Sequence, residues 1–175
     1  MNLRRNLMAL CSLTLLASAC ASLPKGATAV GGFEKARYLG KWYEVARFDF
    51  SFEKNLDNTT AEYGLAKDGT ISVTNRGHNY VTGKWSEARG KARFRGSDTR
   101  AELEVSFFGP FYAAYNVIAL DADYRYALVA GSNLKYLWIL SRTPTIPDDV
   151  KADYLDRAKA LGYDLSKLIW VHHDN

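Results

Sequence analysis

The sequence predicts an all-β fold: an eight-stranded antiparallel up-and-down β-barrel with one C-terminal α-helix packed outside it and a short final strand. Three observations carry this expectation. All 23 aromatic residues lie after residue 19. Short segments with apolar residues at every second position succeed one another between residues 41 and 142, the period of a half-buried strand. Compact turn chemistry separates these segments, and helical periodicity appears only late, near 145–162. A meander of this kind removes its exposed edges by closing into a barrel.

The chain opens with a basic start, Arg4 and Arg5, followed by the uncharged run Leu7–Ala19. A spanning helix needs about 20 apolar residues, so this run is too short and reads as a secretory signal peptide over residues 1–19. Leu16-Ala17-Ser18-Ala19-Cys20 resembles the bacterial lipobox, although its leucine stands four positions before the cysteine and lipoboxes usually place it three before. That resemblance implies cleavage before Cys20 and its conversion to an N-acyl, S-diacylglycerol cysteine. Ordinary cleavage at Ala-Ser-Ala, leaving Cys20 as a free thiol, is the alternative. By resemblance to enterobacterial sorting, Ala21 in place of Asp favours the outer membrane, which places the protein on the periplasmic face. Residues 20–32 are small and polar and read as a tether, leaving 33–175 as the barrel domain.

Processing changes the bulk figures. The 175-residue chain carries a formal charge of +4; loss of the leader removes two arginines and leaves +2 on 156 residues. Cys11 leaves with the leader, so no internal disulfide can form. Hydrophobic content of 47% with 24% charged residues describes a globular domain, and two cysteines exclude a disulfide-stapled scaffold.

Strands are expected at 41–48, 59–66, 70–77, 83–95, 101–108, 112–120, 124–131 and 136–142. Lys67-Asp68-Gly69, Gly96-Ser97-Asp98-Thr99 and Asp121-Ala122-Asp123 are tight turns. Basic residues alternate through Arg89, Lys91, Arg93 and Arg95, and acids through Glu102 and Glu104. A four-residue turn at 96–99 would set Arg93 opposite Glu102 and Lys91 opposite Glu104. Such pairs contribute about 0.2–1 kcal/mol each, and they turn Ala92, Phe94, Leu103, Val105 and Phe107 inward. Pairing also argues against nucleic acid, which would need free basic residues among exposed stacking aromatics.

In a meander alternate loops share an end. Loops two, four and six are the tight turns, whereas loops one, three and five are expected to be longer and carry Phe48, Phe50, Phe52, Tyr80, Phe108 and Phe111. One end is sealed and the other wide and aromatic, the asymmetry of a ligand cup. Alternation nominates Tyr63, Phe94, Leu103, Val105, Tyr115 and Val117 as cavity residues, with a barrel filled by its own side chains as the alternative. The late helix has Thr145 as N-cap, Pro147 in its first turn, Asp148 and Asp149 at the positive end of its dipole, an apolar stripe through Val150, Tyr154, Leu155, Ala158 and Leu161, and Gly162 as its stop. Leu168-Ile169-Trp170-Val171 forms the final strand before a polar tail.

Gly40-Lys41-Trp42-Tyr43, preceded by Phe33 and Tyr38-Leu39, resembles the motif with which lipocalins open their first strand. Asp123-Tyr124 at the sixth turn and Arg142 just beyond the eighth strand resemble the second and third lipocalin motifs, in the same order. Around Val105–Tyr112 and Tyr136–Pro144 the chain is similar to the bacterial lipoprotein branch of that family, akin to apolipoprotein D and the plant temperature-induced lipocalins. The resemblance implies structural roles for Gly40, Trp42, Asp123, Tyr124 and Arg142, with the arginine lying across the tryptophan. It implies a fatty acid or lysophospholipid as ligand, held for storage or transport, with no cofactor or metal. Catalysis is not expected: His78 falls in a loop, His172 and His173 in the tail, no serine sits in a nucleophile elbow, and Cys20 is remote from the barrel. An envelope interaction protein with a filled barrel, pairing with a second copy through the aromatic loops, is the remaining class.

Overall fold

The computed structural model describes residues 23–174; the leader at 1–19 and Cys20 lie outside the described residues. Strands β1 (Gly40–Phe48), β2 (Leu56–Leu65), β3 (Ile71–Asn79), β4 (Lys84–Phe94), β5 (Glu102–Phe108), β6 (Phe111–Leu120), β7 (Tyr126–Ala130) and β8 (Leu137–Ser141) run antiparallel to their neighbours in chain order. β1 pairs with β8 on one edge and β2 on the other, which closes the barrel. A one-turn helix, α1 (Lys35–Tyr38), precedes β1, and α2 (Asp148–Ala160) follows β8. β9 (Leu168–Trp170) adds to β1 beyond the stretch that β2 occupies.

Alternation along the strands divides the apolar residues between two cores. Trp42, Tyr63, Val73, Ala92, Leu103, Val117 and Leu140 fill the barrel interior. Leu128, Ala130, Leu137 and Ile139 face outward and pack beneath α2 through Tyr154 and Ala158. The helix is one-sided, and its outer residues are charged. Pro147, expected in the first turn, occupies the N-cap position instead, and the carbonyl of Thr145 accepts a hydrogen bond from the Ser141 hydroxyl at 2.9 Å. Thr145 is therefore occupied in the turn leaving β8 and does not cap the helix. Gly162 ends the helix at φ +91°, as its position suggested.

The β4–β5 register differs from the expected one by two residues: Arg93 faces Glu104, 2.6 Å away, and Lys91 faces Ser106. An even shift keeps each side chain on its face, so the wet and dry sides are as read. The cause lies in the N-terminal segment. Gly31 bridges Arg100, the Ala101 N–H donates to the Val30 carbonyl at 2.9 Å, and the Phe33 N–H donates to Thr99 at 2.9 Å. These bonds hold residues 99–101 out of the hairpin and lengthen its turn. Residues 24–32 thus lie along the barrel wall, with Pro24 and Ala29 buried.

Loops three and five are shorter than expected. The β3–β4 connection is Tyr80–Gly83 and the β5–β6 connection is Gly109-Pro110. The strands themselves continue past the barrel rim and carry the aromatics there, and His78 lies within β3 rather than in a loop. β4 pairs with β3 from Lys84 onward, but β5 joins it only from Lys91, leaving both faces of residues 84–89 exposed. The polar tail is also ordered into the wall. The Asn58 N–H donates to the His172 carbonyl at 2.8 Å, and a His173 ring nitrogen lies 2.9 Å from the Glu44 carbonyl oxygen.

Closure depends on Arg142. Its guanidinium carbon lies 3.9 Å above the Trp42 ring, and its nitrogens donate to the carbonyls of Arg37 (2.8 Å), Lys41 (2.9 Å) and Tyr124 (3.2 Å). Gly40 enters β1 at φ +93°, where a methyl group would lie 3.4 Å from the guanidinium. A cation over an indole is worth about 0.5–2 kcal/mol, and charged hydrogen bonds about 1.5–3 kcal/mol each when buried. Because Arg142 is part-exposed, Arg142→Ala should cost about 2–4 kcal/mol in all, seen as a lowered urea midpoint. A midpoint unchanged from the parent would remove the arginine from its place in barrel closure.

Candidate functional site

The barrel interior is layered from its sealed end upward. Trp42 is fully buried, and its indole N–H donates to the Tyr38 carbonyl at 2.8 Å while its ring lies 4.8 Å from that of Tyr38. Phe33 sits against Tyr38, Phe94 and Tyr124 with centroids 5.2–6.0 Å apart. Tyr124, at φ +59°, accepts the Glu34 N–H on its hydroxyl at 2.8 Å. Asp123 beside it is exposed, and among the described residues its carboxylate pairs with Arg125, at 3.4 Å. The acid that organises this turn is Asp121, whose carboxylate accepts the N–H groups of Arg125 and Tyr126. Several hydrogen bonds to the charged form hold its carboxyl below the usual range against a desolvation that pushes the other way.

Above this floor three tyrosines meet across the lumen. The hydroxyl of Tyr115 lies 2.7 Å from that of Tyr38 and 2.9 Å from that of Tyr63. Burial pushes all three hydroxyls up, so they remain neutral donors and acceptors. This layer sorts the cavity candidates. Tyr63, Leu103 and Val117 are buried among the packed residues at and below it. Phe94, Val105 and Tyr115 are inward yet partly open to solvent, together with Phe107. Phe94 packs on Phe33 at the floor, so the accessible apolar wall lies on β5 and β6, next to residues 84–89 of β4, which pair with β3 but not with β5.

Across the lumen is a polar cluster that the sequence reading did not single out. Glu44 and Arg47 on β1 and Glu53 in the following connection are all buried. Arg47 donates to the carbonyls of Glu53 (2.7 Å) and Leu56 (3.0 Å), and its Nε lies 3.4 Å from the Glu53 carboxylate. The Trp138 indole N–H donates to the same carboxylate at 3.4 Å. Among the described residues, Arg47 Nη1, Glu44 Oε2, Thr59 Oγ1 and Asn75 Oδ1 have no hydrogen-bond partner, each worth about 1–3 kcal/mol if left unmet. Glu44 has the parity of Trp42, so it was legible as inward. The bulge between Glu44 and Ala46 turns Arg47 inward as well, against simple alternation, and only pairing with β8 reveals it.

Burial pushes the carboxyls of both Glu44 and Glu53 up, partly offset by Arg47; at Glu53 the neighbouring Glu44 charge adds to the rise. Both acids therefore bind protons more tightly in the fold, and the stability they contribute is present at acid pH and lost as pH climbs from 4.5 through their raised folded values. Glu53→Gln removes this loss at one site. The melting-temperature difference between variant and parent should grow in the variant's favour above pH 4.5, and a pH-independent difference would contradict the assignment. Arg47→Ala should destabilise by about 3–5 kcal/mol, because it strands two buried acids; urea titration measures this.

Comparison with known proteins agrees with this geometry. A model of the lipocalin-like domain matches residues 33–173. The chain is 54% identical over 167 residues to the outer membrane lipoprotein Blc of Escherichia coli (strain K12), covering 94% of each chain. It is 32% identical over 152 residues to apolipoprotein D of Mus musculus, covering 82% of this chain and 78% of that one. The solved structure of insecticyanin from the tobacco hornworm Manduca sexta superposes with a TM-score of 0.69 at 21% identity, over 85% of each chain. With its closed eight-stranded barrel, its outer helix and Arg142 laid across Trp42, the chain belongs to the lipocalin family.

Proposed function

We propose that this protein binds amphipathic lipids, fatty acids and lysophospholipids among them, in the upper half of its barrel, and stores or carries them at the outer membrane. The observation that carries this reading is the division of the upper interior: the part-exposed apolar residues Val105, Phe107 and Tyr115 on β5 and β6 stand across from the polar strip of Glu44, Arg47 and Thr59. A single-chain lipid presents the same division. Its tail would lie along β5 and β6 above the tyrosine layer, with the polar end towards β1–β3. A barrel filled throughout would not leave inward apolar residues open to solvent at this level.

Likeness to an outer membrane lipoprotein over nearly the whole chain supports acylation at Cys20, cleavage of residues 1–19 and residence on the periplasmic face of the outer membrane. Among the described residues no helix is long and apolar enough to cross a membrane, and the acylated cysteine would supply the attachment. This reading assigns binding without a catalytic step and needs no cofactor.

Native mass spectrometry of the protein extracted from its own membrane tests the carrier reading directly: a co-purifying single-chain lipid supports it, and a chain that takes up neither fatty acid nor lysophospholipid removes it. Each buried methylene is worth about 0.8 kcal/mol, so shortening the acyl chain by two carbons should weaken binding roughly 15-fold. Val105→Trp, which fills the wall, should lower lysophospholipid affinity by at least about tenfold, as expected when a few methylenes lose their place. An affinity indifferent to both changes would place the ligand elsewhere.

A further inference from the structure

The outer wall of the barrel carries a concavity apart from the lumen. A closed sheet is convex on its outside, so a cleft there needs an added wall, and the polar tail supplies it. β2 leaves β1 after the Tyr43–Thr60 pair. Beyond that point the Val171 N–H donates to the Val45 carbonyl at 3.1 Å. Asn58, at φ +51°, holds Asp174 from two sides: its side-chain nitrogen donates to the carboxylate at 2.9 Å, and its side-chain oxygen accepts the Asp174 N–H at 2.8 Å. Between this tail and the outer faces of β1–β4 lies a cleft of about 350 Å³. Small-molecule pockets span about 300–1,000 Å³, so it suits a compact ligand.

Its lining combines one open aromatic ring with hydrogen-bonding groups that have no partner. Trp85 is 64% exposed and belongs to neither apolar core. Glu62 stands directly opposite Thr74 and two residues along β2 from Thr60, which sets the three side chains about 5–7 Å apart on one face. Among the described residues, none of the three makes a side-chain hydrogen bond. Together they offer two hydroxyls, each donor and acceptor, and one carboxylate acceptor. The charges of the lining cancel: Lys41 and Arg76 are matched by Glu62 and Asp174. Arg76 is already engaged by Glu87 at 2.7 Å, and the Lys41 ammonium lies 4.4 Å over the Tyr43 ring. Burial pushes the pKa of the His173 ring down, so this group of the lining is neutral as well.

We propose that this cleft binds a neutral saccharide, with a sugar ring laid on Trp85 and its hydroxyl groups bonded to Thr60, Glu62 and Thr74. A sugar ring presents that combination: a face of C–H groups that an indole covers, and a rim of hydroxyls that donate and accept. The Glu62 carboxylate takes hydroxyl donors and repels a phosphate. A lipid tail finds no continuous apolar trough among threonines and charged groups. The site is therefore separate from the lumen, and it holds whether or not the barrel carries lipid.

Saturation-transfer NMR on the full-chain protein with cellobiose, maltose and N,N′-diacetylchitobiose tests this. Irradiation of the protein should pass to at least one of these sugars, most strongly to the C–H protons on one ring face. Trp85→Ala should abolish the transfer. Glu62→Gln should weaken binding of the same sugar about tenfold, as when a charge-assisted hydrogen bond becomes a neutral one. Both side chains are exposed, so urea midpoints should stay at the parent value, and if one variant fails to fold the other still decides. No transfer to any of the three sugars would overturn the proposal. So would transfer that both variants retain, which would place the sugar elsewhere, and so would displacement of the sugar by inorganic phosphate, the mark of an anion site.

Discussion

One guanidinium holds the barrel shut. Arg142 follows β8, yet it reaches the carbonyls of Arg37 and Lys41 before and within β1 and that of Tyr124 in the sixth turn. It also covers the face of Trp42. A sheet becomes a barrel only when its last strand finds its first, and here that encounter is fixed by a planar donor set matched to three carbonyls. Lysine could not reproduce it, since a single ammonium cannot span the three directions and cover a ring. The packed floor and tyrosine layer follow from this closure, because Tyr38, Tyr63 and Tyr115 come from distant parts of the chain and meet only inside a closed cylinder.

A sealed end costs nothing in ligand space if the other end remains open, and the two halves of the interior are built for different tasks. Below the tyrosine layer aromatic rings fill the lumen. Above it, apolar side chains on one wall face charged and amide groups on the other. The buried acids Glu44 and Glu53 destabilise the fold at neutral pH unless Arg47 and a further polar partner meet them. Stability given up at a concave, partly wet site is a common mark of function, and it accords with an amphipathic occupant better than with a purely hydrocarbon one.

The fold was largely legible because a barrel of short antiparallel strands writes itself locally. Alternation gave the strand set, Lys67-Asp68-Gly69 and Asp121-Ala122-Asp123 marked the turns, and Gly162 marked the end of the helix. The errors share one origin. The β4–β5 register shifted because Val30 and Gly31 capture residues 100–101. The connections at the mouth shrank because β3 and β4 continue beyond the wall. In each instance a segment distant in sequence supplied backbone partners, and no local pattern encodes those.

The candidate site was legible only in part for the same reason. Parity placed Tyr63, Phe94, Leu103, Val105, Tyr115 and Val117 inward, but depth along the barrel separates packing from accessible wall, and depth is a property of the closed cylinder. Sequence alone determined the fold class and the residues that face inward, because strand period and turn chemistry are local. Tertiary structure alone decided which inward residues meet solvent, how the bulge turns Arg47 towards Glu53, and that residues 24–32 lie along the barrel wall. Those depend on strand stagger and on where separate segments come to rest.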